Sequence, residues 1–313
     1  MAPLTGLLVV DLTRYLPGAY ASRELLRLGA RVVRLEPPEG DPLRDTAPTW
    51  HDALNAGKES VVCDLKSDEG LSFGRALLAR ADVVLEGFRP GVAERLGVGP
   101  GDARADAVYC SITGFGLDVR HEQRAGHDLN YLGWAGALAD TTPALPPLQI
   151  ADLAAGALGA VTQILAALVA GGGARITVSM THRSHDLVAH RVAGDPIPKL
   201  LTGGVACYRI YETADGRHLT VSALEPKFWQ RLCEVVGHPE LIPSQWEPRL
   251  PELEDAIASR PLAEWLELFD GEDVCAGPVA TLEEAAREFG VNTTIGAAPR
   301  VGEHTEAWRA ELR

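Results

Sequence analysis

Five short apolar runs recur through the first 112 residues, and most are followed by a stretch with helical spacing. Leu7 to Val10 ends at Asp11, and Val32-Val33 is stopped by Pro37-Pro38-Glu39-Gly40; Ser60 to Leu65, Asp82 to Leu85 and Val108 to Ile112 complete the series. Between them, Pro17 opens a helix that Gly29 closes, residues 69–80 carry helical spacing, and Pro90 starts a short helix through Leu96. Strands this short and this apolar, separated by helices, predict an α/β domain whose largely parallel sheet is covered by helices. The first strand–helix turn, Asp11-Leu12-Thr13-Arg14-Tyr15-Leu16-Pro17-Gly18, is neither G-x-G-x-x-G nor a P-loop. A Rossmann-like fold is therefore expected without NAD and without nucleotide-triphosphate chemistry.

Further along, Leu145-Pro146-Pro147 marks a loop, and a long helix of small and branched residues is expected from Asp152 to Ala170. Gly171-Gly172-Gly173 reads as a hinge, Arg175 to Met180 as a strand and Thr181 to Val192 as a helix. Asp215-Gly216 between Cys207–Tyr211 and His218–Ser222 signals a hairpin, with helices expected over 226–236, 250–258 and 261–269. The chain thus divides into a large Rossmann-like domain over 1–190, a linker over 191–204 around Gly194-Asp195-Pro196, and a small α+β domain over 205–285.

A net charge of −14 over 313 residues argues against binding to nucleic acid or to anionic membranes, so an anionic ligand would have to be held by local cations. Arg34, Arg44, Lys58, Lys66, Arg89 and Arg95, on loops and helix starts of the first half, are the candidates. Five cysteines without a CxxC pair, and a start that lacks a basic, apolar leader, lead to a cytoplasmic expectation. The longest apolar run, Leu153 to Ala170, is interrupted by Gly156, Gly159, Thr162 and Gln163, and no membrane span is expected.

Three places carry groups suited to proton chemistry. Gly126-His127-Asp128-Leu129-Asn130-Tyr131 sets a histidine at a helix start, although Asp128 or Asn130 could simply cap that helix. Asp152 opens the long helix, where it reads either as an N-cap or as a carboxylate held beside free amides able to receive an oxyanion. Glu225 precedes Pro226 at a strand exit, an ordinary turn position that also suits a site residue. His182, His185 and His190 are spaced H-x2-H-x4-H, but no neighbouring Cys or paired Glu completes a ligand set, and no metal is expected.

The blocks Leu4-Thr5-Gly6-Leu7 to Thr13, Ala81-Asp82-Val83-Val84-Leu85-Glu86-Gly87-Phe88-Arg89-Pro90-Gly91 and Tyr109-Cys110-Ser111-Ile112-Thr113-Gly114-Phe115-Gly116, with Gly302-Glu303-His304-Thr305 in the tail, resemble the family III CoA-transferases. Gly126-His127-Asp128-Leu129-Asn130-Tyr131 and Leu224-Glu225-Pro226-Lys227-Phe228-Trp229 resemble the acyl-CoA racemase branch of that family. The resemblance implies 1,1-proton transfer at the α-carbon of a 2-methyl-branched acyl-CoA. His127 and Glu225 would serve one face and Asp152 the other. CoA would be held by Arg34, Lys58, Lys66, Arg89 and Arg95, with no further cofactor. It also implies an interlocked homodimer, with residues 290–313 completing the large domain. The alternatives are a CoA-transferase that uses Asp152 as a covalent nucleophile, and a non-catalytic CoA-ester-binding homologue. Two departures stand out: Pro37 replaces an Arg common in racemases, and Leu117-Asp118-Val119-Arg120 replaces the usual Gln and Gly-Pro.

Overall fold

A computed structural model describes residues 2–313 as two compact units, one running to His190 and taking in Thr294–Arg313, the other spanning Arg191–Thr293. In the first unit the chain runs β1 (Leu8–Asp11), α1 (Tyr15–Arg27), β2 (Arg31–Glu36), α2 (Leu43–Thr46), α3 (Pro48–Asn55), β3 (Glu59–Val62) and α4 (Asp68–Leu78). It continues through β4 (Val83–Glu86), α5 (Val92–Arg95), β5 (Val108–Thr113), α6 (Asp128–Trp134), a π-helix (Ala151–Leu158), α7 (Gly159–Val169), β6 (Arg175–Ser179) and α8 (Met180–Leu187). A last helix, Thr305–Glu311, belongs to the same unit.

The six strands form one sheet in the order β3-β2-β1-β4-β5-β6, and every neighbouring pair is parallel. Consecutive valines feed opposite faces, as the two-residue period of a strand requires. Val9 and Val32 join a core with Leu25, Ile164 and Leu132, while Val10 and Val33 join one with Leu77, Leu78 and Trp308. The chain winds outward from β1 through β2 to β3 and then restarts at β4 on the other side, so the loops after β1 and β4 diverge and leave a crevice between them.

At the β3 edge the tail is pinned by backbone and side-chain bonds. The His304 N–H donates to the Ser60 carbonyl (2.9 Å), the Val62 N–H donates to Thr305 Oγ1 (2.9 Å), and Arg31 lies 4.1 Å over the Trp308 ring.

Three expectations change in this unit. The long helix opens before Asp152, with the Leu153 N–H already bonded to the Gln149 carbonyl, so Asp152 is not its first residue or its cap. The helix Ala151–Val169 is, by length and composition alone, apolar enough to cross a membrane; here its Ala151, Ala157, Ala160 and Ile164 pack into the core. Helices α2 and α3 were not anticipated, because Pro42, Thr46 and Pro48 break the helical pattern there.

The second unit is a three-stranded antiparallel sheet of β7 (Tyr208–Glu212), β8 (His218–Ser222) and β9 (Ala276–Pro278), with β8 central. The hairpin turns at Asp215-Gly216, where Gly216 takes φ +70°, a conformation glycine adopts at no steric cost. Helices α9 (Pro226–Val236), α10 (Pro251–Ala258), α11 (Leu262–Phe269) and α12 (Leu282–Phe289) accompany the sheet. Trp229, Leu232 and Trp265 form the centre of its core, and Ile197 and Leu200, in the stretch expected to be a linker, pack against it.

Candidate active site

A cleft of about 500 Å³ lies over the carboxyl ends of β1, β4 and β5, where the order of the sheet reverses. Such a crevice is the usual ligand position in an open parallel sheet. Thr13, Arg14 and Tyr15 approach it from behind β1, Gly87 to Pro90 from behind β4, and Gly114 from behind β5. His127 and Tyr131, at the start of α6, and Asp152, in the first turn of the π-helix, form the remaining wall.

His127 is the residue before α6, with extended backbone (φ −130°), and its N–H donates to Asn130 Oδ1 at 3.1 Å. Asn130 thus secures the backbone of His127, which lines the cleft. The preceding peptide is fixed as well, since Tyr131 Oη donates to the Gly126 carbonyl at 2.5 Å. A Cβ at Gly126 would lie 2.7 Å from the Tyr131 ring and one at Gly114 would lie 2.6 Å from it, so this clamp requires glycine on both sides.

Asp152 is the second titratable candidate on the cleft. Burial, together with the like charge of Asp128, pushes its carboxyl from an ordinary 3.8 up to about 7. The Asp152 N–H donates to Asp128 Oδ1 at 2.9 Å. That bond corrects the expectation that the amides at this helix start are free for an oxyanion, because the amide of Asp152 is already occupied. The π-helical turn beneath it is a rare form that is frequent at functional sites.

The proposed cations separate into two groups. Arg34 and Lys58 are buried, at 1% and 3% exposure. Arg34 Nη2 donates to Asp41 Oδ2 at 2.7 Å, and Nη1 lies 3.1 Å from His51 Nε2. Lys58 Nζ donates to the Ala19 carbonyl (2.8 Å), Ser22 Oγ (2.8 Å) and Asn55 Oδ1 (2.9 Å). An ammonium has three N–H bonds to give, so Lys58 has none left for a phosphate. Both side chains belong to a network around Asp11, which accepts from the Thr13 N–H (2.8 Å) and from Ser22 Oγ (2.5 Å) and so shapes the turn behind β1. The ligand-binding expectation for Arg34 and Lys58 is therefore replaced by a structural role.

Arg89 lines the cleft, and Lys66 lines a smaller pocket of about 140 Å³ beside it, with Leu12, Leu35, Pro37 and Phe88. Arg95 lines neither; its guanidinium lies back over Gly91. Arg44 is taken up by Glu36, 2.6 Å away. Two cations were missed. Arg14 borders both the cleft and the smaller pocket, and Arg124 lines the cleft with its guanidinium 5.2 Å from the Trp134 ring. Arg14 lies in the first strand–helix turn read from the sequence, and that position was the available signal.

Glu225 precedes α9 in the second unit. Two of the three spaced histidines serve local bonds, His182 Nδ1 lying 2.7 Å from Ser179 Oγ and His185 Nδ1 3.0 Å from the Ala135 carbonyl. Among the described residues no group of three or more His, Cys, Asp or Glu side chains could hold a metal ion.

Parallel order, a cleft at the reversal point, and a His–Asp pair facing it define an α/β protein with a site for proton or acyl chemistry. The chain belongs to CoA-transferase family III, whose model matches residues 4–305. It is 34% identical to the α-methylacyl-CoA racemase of Mus musculus over 90% of this chain and 79% of that one. It is 29% identical to the succinyl-CoA:glutarate CoA-transferase of the same species, over 92% and 74%. A crystal structure of a CaiB/BaiF family protein from Brucella suis superposes with a TM-score of 0.84, at 26% identity and full coverage of both chains.

Proposed function

We propose that the protein is an acyl-CoA racemase that inverts the α-carbon of a 2-methyl-branched or related 2-substituted acyl-CoA thioester. The carrying observation is that Asp152, held near 7, shares a cleft with His127. An aspartate at 3.8 retains roughly one proton per thousand molecules at neutral pH, whereas Asp152 retains a substantial fraction. A histidine and a protonated carboxyl together form a pair with one transferable proton.

In the proposed reaction, His127 takes the α-proton from one face and the C–H electron pair moves into the thioester carbonyl as an enolate. Asp152 then gives its proton to the opposite face of the α-carbon, leaving an imidazolium and a carboxylate. Reverse turnover or exchange with water resets the pair. Glu225 serves the His127 side of this transfer in a homodimeric, cytoplasmic enzyme. The CoA phosphates lie along Arg14 and Arg89, which give an acidic protein a locally cationic wall, with Lys66 and the smaller pocket available to the nucleotide end.

A CoA-transferase is the second reading, favoured by the transferase relative. Asp152 would then be ionised and would attack the thioester carbon, expelling the CoA thiolate to form a mixed anhydride. Incubation with a panel of 2-methylacyl-CoAs in D2O separates the two. The racemase reading expects α-deuterium wash-in without any carboxylate acceptor, abolished by His127→Ala and by Asp152→Asn. If the wild type shows no wash-in but hydroxylamine traps an Asp152 adduct when an acceptor acid is added, the transferase reading stands. If neither appears, the protein is a CoA-ester-binding homologue.

A further inference from the structure

Helix α6 reaches both proton carriers of the cleft through consecutive residues. His127 stands immediately before it, and Asp128 is its first residue. Asp128 does not cap its own helix with the oxygen seen here; Oδ1 crosses to the π-helix and accepts the Asp152 N–H at 2.9 Å. One dipeptide thereby ties the base on one wall to the acid on the other, although 24 residues separate Asp128 from Asp152. The clamp of Tyr131 on Gly126 makes the helix start rigid on the His127 side.

We propose that Asp128 is a positioning residue for the reaction, holding Asp152 through its backbone amide while setting a second negative charge beside its carboxyl. This rests on the racemase reading for its consequence but not for its geometry. Displacing the first π-helical turn would move the Asp152 carboxyl relative to His127, and ångström misplacements of a reacting group are costly. Burial does most to hold the proton on the Asp152 carboxyl, and the second charge adds to it, because two neighbouring carboxylates share a site less readily than one carboxylate and one acid.

Other charged and titratable groups line the same cleft. His127 and Tyr131 come from the start of α6, and Tyr15 from α1. Arg14 and Arg89 come from the loops behind β1 and β4, and Glu122 and Arg124 from the loop before α6. Helix α8, which packs against the π-helix, carries His182 and Arg183. Apart from burial, Asp128 is the group that acts on the Asp152 carboxyl.

The test uses two variants that remove the charge yet keep an oxygen able to accept the amide, Asp128→Asn and Asp128→Ser, and one that removes both, Asp128→Ala. The Asp152 carboxyl is titrated by carbon-13 NMR of aspartate-labelled full-length protein, its signal assigned by its loss in Asp152→Asn. The pH dependence of deuterium wash-in is measured in parallel. In Asp128→Asn and Asp128→Ser the Asp152 midpoint should fall by about one pH unit, and the pH–rate profile should move the same way with KM changed less than about twofold. Asp128→Ala should lose a further tenfold or more in kcat, the cost of about 1.4 kcal/mol of misplacement. An Asp152 midpoint unchanged in both Asp128→Asn and Asp128→Ser overturns the proposal, whatever the activity. Absence of wash-in from the wild type would instead sink the racemase reading, and the NMR titration would still decide the role of Asp128.

Discussion

Asp152 should cost the fold stability at every pH above the ordinary carboxylate range, and replacing it by asparagine should recover that cost. Its carboxyl is shifted from 3.8 to about 7, mainly by burial and secondarily by Asp128. At about 1.4 kcal/mol per pKa unit, three units correspond to roughly 4 kcal/mol. The sign follows from the raised native value. Below pH 4 the side chain is protonated in both native and unfolded states, and the penalty is absent. As pH rises from 4 to 7 the unfolded chain releases its proton and the native state does not, so stability falls; above 7 the whole penalty is present. Asp152→Asn is nearly isosteric and cannot ionise. Its advantage over the wild type should therefore grow from about 1.5 kcal/mol at pH 5 to about 4 kcal/mol at pH 8.5. In a unit of this size the larger figure corresponds to an increase in Tm on the order of 10 °C. Any constant effect of the amide cancels when the two pH values are compared. Thermal melts of both proteins across this range are the assay. A Tm difference that does not change between pH 5 and pH 8.5 would refute the claim that burial makes Asp152 hold its proton.

The two classes of cation should respond differently to removal. Arg34→Met leaves Asp41 and Asp11 without their buried partner and should destabilise the fold by about 3–5 kcal/mol in urea titration; a raised KM with unchanged stability would restore a ligand role for Arg34. Arg89→Ala, at an exposed position on the cleft, should alter stability by less than about 0.5 kcal/mol. Loss of a charge-assisted bond worth about 1.5–3 kcal/mol should raise KM for an acyl-CoA between ten- and a hundredfold, with kcat nearly unchanged.

What the sequence disclosed depended on whether a residue's role is local. β1, β4 and β5 were legible because their apolar residues are buried on both faces, and apolar runs need no partner to be recognised. β2 was read only at Val32-Val33, since Arg34 and Glu36 look like surface residues until Asp41, Arg44 and Ser60 are brought to them by the fold. The same blindness misassigned Lys58, whose three acceptors come from α1 and α3. His127 and Asp152 could be singled out from sequence. Their relation could not, because it runs through an Asp128–Asp152 bond that no periodicity encodes and through a turn that is π-helical where the pattern suggests an ordinary helix.

The two readings of Asp152 differ in the pH dependence they require. A nucleophile must be ionised, so a transferase that uses Asp152 should gain rate as pH rises through about 7 and then reach a plateau. A racemase needs one proton on the His127–Asp152 pair, on either member, because the two placements are the starting states of the two directions. Both directions therefore share one bell-shaped profile, low when the pair holds two protons and low again when it holds none, and its limbs belong to the pair and not to either residue. Wash-in measured from each enantiomer between pH 5 and pH 9 should give superimposable bells. A single rising limb from either enantiomer would show that Asp152 acts only as an anion, and the racemase mechanism drawn here would fall even if the protein turned over its thioester.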